Sequence, residues 1–569
     1  MKLTWNTRAG FRYADQFQKQ HYPAHPEGYY YLPESEYLSG GRNEHILATD
    51  FFPEKGVYNY THRQLYTMFY TTLDYQWDIT SDHSLRALLG FQDEGQSLRT
   101  MSGRRDFYPS DSMTELNGGS TEGQTLSGNI TEFALRSLFG RLNYAYQGKY
   151  LAEVNFRYDG TSRIYKDNRW GIFPSFSAAW RISEENFIKD NLSWVNNLKL
   201  RASWGKLGNS EIGNYPYQDV YQTASYIFDN EVAQGVVQNA LKNKDLKWET
   251  TTATDIGLEA NLANGLFSLT FDWYNKVTDG ILSQAPIPAS VGMSAPTVNY
   301  GKLRNRGVEF EVGHQNKIGD FTYGASFMAS FNKNKVLQLM APSYGSNIYE
   351  EGKPYGEHYL YIWDGIFQSK EDIANSPKHP YNPQPGDIKF KDLNEDGVIN
   401  SEDRTMVKGV YPKMLYSFNL NFGYKDFDLS LFFQGVEGRK IWTNFFGEDP
   451  FSQGAPPNKK FLNAWTPENT DTDVPALYAP GYAPMCNTRS TYNLKDASYL
   501  RLKNLQFGYN VPKRYLNKIG IDFLRVYFSG ENLFTLTEYP DYDPERGGDG
   551  WHVQYPQAKT YSLGVNLRF

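Results

Sequence analysis

Along much of the chain apolar and polar residues alternate strictly. From Tyr150 to Asp159, Ala152, Val154, Phe156 and Tyr158 fall on one face and Glu153, Asn155, Arg157 and Asp159 on the other. Successive side chains of an extended strand point to opposite faces, so this period of two predicts a strand that is greasy on one side and polar on the other. Tyr416, Phe418, Leu420, Phe422 and Tyr424 alternate in the same way with Ser417, Asn419, Asn421 and Gly423. The chain then turns through Lys425-Asp426 into Phe427, Leu429 and Leu431, the pattern of a tight hairpin. A third hairpin runs Ile256, Leu258, Ala260, Leu262, turns at Ala263-Asn264-Gly265, and returns as Phe267, Leu269, Phe271 and Trp273. Read this way the chain holds about sixteen candidate strands of roughly 9–11 residues, the length that crosses a bilayer at a tilt of ~45°. No long helical period appears.

The connections are unequal. Short turns such as Gln147-Gly148-Lys149 alternate with long polar stretches rich in Gly and Pro, such as Pro342 to Pro385 and Gly435 to Lys495. Short turns on one rim and long loops on the other are the asymmetry of an outer-membrane barrel. A soluble antiparallel sheet with one wet face also alternates. Ring placement favours the membrane: Tyr144, Tyr146 and Tyr150 surround a turn, Tyr416 and Tyr424 flank a strand, and Trp273-Tyr274 closes another. Such rings suit the headgroup level. The last strand, Tyr561, Leu563, Val565, Leu567 and Phe569 against Ser562, Gly564, Asn566 and Arg568, ends the chain on an aromatic residue. The pattern thus predicts an all-β chain folded as an antiparallel transmembrane β-barrel.

Composition narrows the field. The 569 residues include 44 Tyr, 36 Phe and 12 Trp, too many rings for a disordered chain. Mean hydropathy is -0.62, and no apolar run approaches the ~18 residues of a spanning helix. A barrel escapes that test, because only alternate residues of its strands face lipid. The net charge of -7 argues against a nucleic-acid partner, which needs a concentrated basic surface. Cys486 is the only cysteine, so an intrachain disulfide and a zinc-thiolate cluster are excluded. The segment from Met1 to Asn6 offers no apolar core of an export signal.

Several stretches together carry a family resemblance. They are Arg157-Tyr158-Asp159-Gly160-Thr161-Ser162-Arg163, Gly171-Ile172-Phe173-Pro174-Ser175, Leu198-Lys199-Leu200-Arg201-Ala202-Ser203-Trp204-Gly205 and Leu246-Lys247-Trp248-Glu249. Further on stand Asn305-Arg306-Gly307-Val308-Glu309, Tyr499-Leu500-Arg501-Leu502-Lys503-Asn504-Leu505 and Gly530-Glu531-Asn532-Leu533-Phe534. In this order they resemble the C-terminal part of the SusC/RagA family of TonB-linked outer-membrane transporters of Bacteroidetes. The resemblance implies a barrel of about twenty-two strands around a plug domain. It also implies import of oligosaccharides or peptides, a SusD-like lipoprotein lid, and a TonB complex that acts through the plug. Against that pattern, residues 1–569 read as a partial barrel set in outer-membrane lipid. Leu3 to Tyr13 is already a strand, and plug, TonB box and signal peptide are absent. Two open strand edges would keep such a fragment from inserting as a working transporter.

One loop has its own chemistry. In Asp392-Leu393-Asn394-Glu395-Asp396-Gly397-Val398-Ile399-Asn400-Ser401-Glu402-Asp403, oxygen donors stand at loop positions one, three, five, nine and twelve. Gly397 takes the sharp turn at six, and Val398 offers a backbone carbonyl at seven, an order that suits Ca2+. Aspartate at twelve resembles the dockerin variant of the loop. The expectation is a structural Ca2+ held by Asp392, Asn394, Asp396, Val398, Asn400 and Asp403, set against a solvated Asp/Asn/Gly turn that needs no ion.

Other candidates fail. His21 and His25 are four apart, but Pro23 and Pro26 forbid the helix that would align them. No Gly-Lys pair is followed by Ser or Thr, so a P-loop is absent. Asp541-Tyr542-Asp543-Pro544-Glu545 reads as a solvated loop rather than a glycosidase carboxylate pair. Tyr355, Tyr359, Tyr361, Trp363, Tyr381, Trp442, Phe445, Phe446, Trp465 and Tyr482 crowd the long loops. Most of them are expected to pack loop against loop, and the rest could stack on sugars or peptides. No catalytic residue is expected. The rival readings are a surface glycan-binding protein or adhesin without transport, and a secreted glycosidase.

Overall fold

The structure, a computed structural model, describes residues 2–22, 28–30, 46–48, 55–219, 221–443, 457–477, 488–517, 520–540, 543–545 and 557–569. Sixteen strands form one antiparallel meander in which each strand pairs with the next in sequence. They are β1 Lys2–Tyr22, β2 Gly56–Asp78, β3 His83–Asp106, β4 Thr125–Tyr146, β5 Tyr150–Thr161, β6 Trp170–Arg181, β7 Val195–Asn209 and β8 Glu249–Leu262. The second half comprises β9 Phe267–Asp279, β10 Lys302–Ile318, β11 Phe321–Gln338, β12 Met414–Tyr424, β13 Phe427–Glu437, β14 Tyr499–Asn510, β15 Phe523–Thr537 and β16 Thr560–Arg568. The number of strands agrees with the periodicity. Their length does not always: β3 runs 24 residues and β2 runs 23, about twice what a bilayer needs, so these strands continue beyond it. Among the described residues β1 and β16 do not pair with each other, and the barrel is not closed.

The connections sort by rim. Residues 79–82, 147–149, 263–266, 319–320 and 425–426 make short turns, while 182–194 holds a 3-10 turn followed by an α-helical turn and 511–522 one α-helical turn among its described residues. In the three-residue turn 147–149, closed by Lys149 N–H on Tyr146 O at 2.9 Å, Gln147 and Gly148 both have positive φ, the twist that matches the flanking strands. The strand ends on the opposite rim are those joined by the longer connections 23–55, 107–124, 162–169, 210–248, 280–301, 339–413, 438–498 and 538–559.

Register turns the alternation into two surfaces. On five consecutive strands Leu198, Ala260, Leu269, Val312 and Phe327 stand side by side. The next row on that face is Leu200, Leu258, Phe271, Phe310 and Ala329, followed by Ala202, Ile256, Trp273, Val308 and Phe331. Leu200, Ile256, Phe271, Val312 and Phe331 are exposed, so no second layer covers this face. The intervening rows are polar. One of them runs Lys199, Glu259, Thr270, Glu311 and Met328, and the next Arg201, Gly257, Asp272, Glu309 and Ser330.

Burial of large apolar side chains is concentrated in the loops. Leu360, Phe367, Ile388, Phe390 and Ile399, all almost fully buried, belong to 339–413. Ile388, Phe390, Ile399 and Tyr492 form a cluster against which Tyr361 and Trp363 pack. The described parts of connections 339–413 and 438–498 therefore fold together into a cap with its own core. His379, buried in the same region, lies edge-on to Phe367 (5.1 Å) and stacked on Phe390 (5.5 Å). Neither ring nitrogen has a hydrogen-bond partner. Burial, assisted by the Lys389 charge, pushes the imidazole down to about 4.

Two outcomes follow. Phe271→Arg, on the apolar face, should cost the folded state in lipid about 2–4 kcal/mol, whereas Thr270→Arg on the polar face should cost much less. Urea titration in lipid vesicles measures the difference, and equal costs would refute the assignment of faces. The folded pKa of His379 lies below its unfolded value, so the imidazole is neutral in both states above pH 6.5 and the cap keeps its full stability there. As pH falls from 6.5 toward 4 the unfolded cap takes up the proton first and the cap loses stability. Amide exchange in 360–399 should accelerate across this window, and His379→Phe should flatten the response.

Candidate functional site

The polar face carries its charges in matched sets. Arg201 on β7 reaches Asp255 (2.9 Å) and Glu259 (3.0 Å) on β8 and, one strand further, Asp272 on β9. Lys199 joins the same group through Glu259 at 3.4 Å. The reach to Asp272 crosses β8 at Gly257, where a Cβ would lie 2.6 Å from Arg201 Cζ. Glycine here is the gap through which the guanidinium passes. The device recurs: Arg525 on β15 spans Gly508 on β14 to bind Asp428 on β13 at 2.6 Å. Next to the Arg201 group, Glu309, Glu311, Ser330, Ser417 and Gln434 share an open, mostly apolar hollow with Phe310, Met328, Leu415, Tyr416 and Phe432. Ser330 donates to Glu309 at 3.2 Å. The arrangement presents fixed donors and acceptors to water.

The acidic segment before the last strand is not a solvated loop as expected. Asp543 and Glu545 fold onto the polar face of β14, while Asp541 and Tyr542 lie outside the described residues. Arg501, almost wholly buried, binds Asp543 at 2.8 Å and Glu545 at 3.3 Å, and donates to Thr535 at 2.7 Å. Lys503 holds Glu545 at 2.7 Å. Burial alone would raise the Asp543 carboxyl. The Arg501 hydrogen bond and the backbone N–H groups of Glu545 and Gln557 outweigh it and hold the group below the ordinary carboxylate range. The charges are there to fasten the loop, which is why they are not in water.

In the cap, Tyr361 stacks on Phe390, Trp363 meets Tyr492 edge-on, and Trp442 and Trp465 are buried, so these rings pack within the loops as expected. Tyr355 and Tyr381 are exposed. Phe445, Phe446 and Tyr482 lie outside the described residues, as do Cys486 and His25. His21 sits in β1, an extended strand rather than a helix.

The oxygen-rich loop is folded around its own amides. Asp392 accepts from Glu395 N (2.7 Å) and Gly397 N (2.8 Å), Asp396 from Val398 N (2.8 Å), and Asn400 from Glu402 N (2.8 Å). Asn394 accepts from Asp396 N at 3.2 Å. Gly397 has φ +82°, which supplies the turn. Asp403, fully buried, accepts from Leu393 N and Asn400 N, each at 2.8 Å. Ile399 anchors the loop in the cap core, and its N–H donates to Lys378 O at 2.9 Å. The oxygens share one turn, but among the described residues no three His, Cys, Asp or Glu side chains converge as a metal cluster.

Comparison with known proteins agrees with this architecture. The family model described as TonB dependent receptor-like, beta-barrel matches residues 2–533. TonB-dependent receptor P3 of Formosa agariphila is 34% identical over 515 residues, covering 86% of this chain and 51% of that protein. TonB-dependent receptor SusC of Bacteroides thetaiotaomicron is 30% identical over 467 residues, covering 77% and 44%. The chain thus spans about half the length of the curated relatives it matches. The RagAB peptide importer in its open-open state superposes with a TM-score of 0.83 at 27% identity, over 100% of this chain and 59% of that one. Family model, relatives and fold agree: the chain belongs to the TonB-dependent receptor β-barrel family, in its SusC/RagA branch.

Proposed function

We propose that this chain forms the wall and outer cap of a TonB-dependent transporter in the outer membrane, which imports oligosaccharides or peptides together with a SusD-like lipoprotein. The observation that carries the reading is the opposed chemistry of the two faces of one continuous sheet. The apolar rows meet lipid, and the charge-matched rows line a wet bore. The cap, on the rim of long loops, stands at the mouth where a lid would close. Similarity to TonB-dependent receptor SusC supports the transporter reading, and similarity to the RagAB peptide importer supports peptides as one solute class. Energy would come from TonB through a plug, and the wall itself performs no covalent step.

We propose further that Asp392, Asn394, Asp396, the Val398 carbonyl, Asn400 and Asp403 hold Ca2+, which would stiffen the cap. The order of oxygen donors and the Gly397 turn support this, and chemistry of transport does not depend on it.

Deleting the gene should abolish growth on the cognate oligosaccharide or peptide as sole carbon source, and loss of TonB should do the same. Unimpaired uptake of a labelled panel of both solute classes in the deletion strain would refute transport. For the loop, a site of ~0.1 mM affinity at about a hundredfold excess of Ca2+ adds about 2.7 kcal/mol to the cap. Calorimetric titration should show one site, lost in Asp392→Ala with Asp396→Ala. An absence of heat in the unmodified chain would leave a plain Asx-rich turn.

A further inference from the structure

The upper edge of the apolar face differs from place to place. Measured from the short turns, β3 and β4 bring Phe91 and Leu138 opposite each other, and the next pair on that face is Asp93 with Arg136. These bind each other, with Arg136 Nε 3.0 Å from Asp93 Oδ2. The belt there ends in a neutral pair. On β10 and β11 it ends otherwise. Above Val308 and Phe331 stand Arg306 opposite Lys333, and above them Arg304 opposite Lys335. Like charges directly opposite in a sheet, with Cβ atoms about 5 Å apart, repel each other. The neighbours of Arg306 and Arg304 on β9 are Asn275 and Val277, which offer no compensating charge. The nearest carboxylate of that strand on this face, Asp279, is bound to Lys302 at 2.7 Å. Arg306, Lys333 and Lys335 are exposed and Arg304 is half-buried. None of the four forms an ion pair among the described residues.

Height identifies the solvent that these charges meet. Lys333 is twelve positions along β11 from Phe321 at the short turn, so at ~3.4 Å per residue and a ~45° tilt it stands about 29 Å above that turn. The apolar band of such a barrel is about 25 Å tall. The four cations therefore lie at the headgroup level of the leaflet on the cap side, directly over the rows Val308–Phe331 and Phe310–Ala329 that face the acyl chains.

We propose that Arg304, Arg306, Lys333 and Lys335 form a docking site for the phosphate-bearing headgroup of an outer-leaflet lipid. Guanidinium forks bind phosphate oxygens two at a time, the ammonium groups add point charges, and the apolar rows beneath receive the chains. The lipid supplies the counter-charge that the sheet lacks. The inference rests on the reading of the apolar face as membrane-embedded, and the experiment separates the two.

The full chain is incorporated into phosphatidylcholine vesicles and floated on a density gradient, then extracted in detergent with added phosphatidic acid, and retained lipid is counted by native mass spectrometry. Replacing all four cations by Gln should lower retained phosphatidic acid by about fivefold or more. Arg304→Lys with Arg306→Lys should keep most of it, and circular dichroism should show the same sheet content throughout. Millimolar inorganic phosphate should not displace the lipid. A chain that fails to float even when it is carried within a closed barrel overturns the membrane reading and this site with it. A chain that floats, yet retains as much lipid in the Gln variant, or surrenders it to inorganic phosphate, overturns the lipid site alone.

Discussion

A wall one residue thick has no interior, and everything else in this molecule follows from that. Apart from the outer edges of β1 and β16, each backbone N–H and C=O of the wall finds its partner in a neighbouring strand, and each side chain must belong to one of two surroundings. The pleat assigns them alternately, so a slip of one residue would exchange the faces of a whole strand. Rows such as Leu200, Leu258, Phe271, Phe310 and Ala329 remain apolar across five strands because every register agrees. The apolar rings of such a face remain exposed to the bilayer, and the sheet gains no packed core of its own.

The polar face answers a different demand. Charges beside water gain little from pairing, of the order of 0–1 kcal/mol each, so the Arg201 group is not there chiefly for stability. Its arrangement fixes long side chains against the wall. Gly257 and Gly508 show how: removing one side chain lets an arginine lie flat across the intervening strand instead of projecting into the bore. The same logic fastens the last long loop, where Arg501 draws Asp543 and Glu545 down onto β14.

Period two made the wall legible in the sequence, because strand partners are consecutive and each strand carries its own two-sided pattern. Tyr416 to Tyr424, Ile256 to Leu262 and Tyr561 to Leu567 lie in the strands, and on the faces, that their alternation indicates. The cap was legible only as a stretch of long loops. Its core joins Ile388 and Ile399 to Tyr492, about a hundred residues away, through strands of three to five residues that are too short for any period to register. The Asp543 segment misled for a related reason. Acidic residues beside a proline suggest solvent, and the decisive partner, Arg501, becomes adjacent only after the loop has folded back. Gly257 is silent for the opposite reason: its role lies in the side chains of the two flanking strands.

Wall and cap therefore draw on separate physical reserves. In the wall, apolar exposure is useful only where hydrocarbon replaces water, so its stability belongs to protein and bilayer jointly. The cap buries Phe367, Phe390 and Ile399 against one another and derives its stability from water exclusion, as a small soluble domain does. That core also hides an imidazole without hydrogen-bond partners, a local cost that the surrounding rings must offset. A segment with its own core, joined to a rigid sheet at β11, β12, β13 and β14, can loosen without disturbing the strands beneath it. The ladder between β11 and β12 ends at Ser330 opposite Leu415. Above it the cap backbone holds that of β11 through Val336, whose N–H donates to Lys353 O at 2.8 Å and whose carbonyl accepts from Gly352 N at 2.9 Å, so the strand pairing below that point does not depend on the cap.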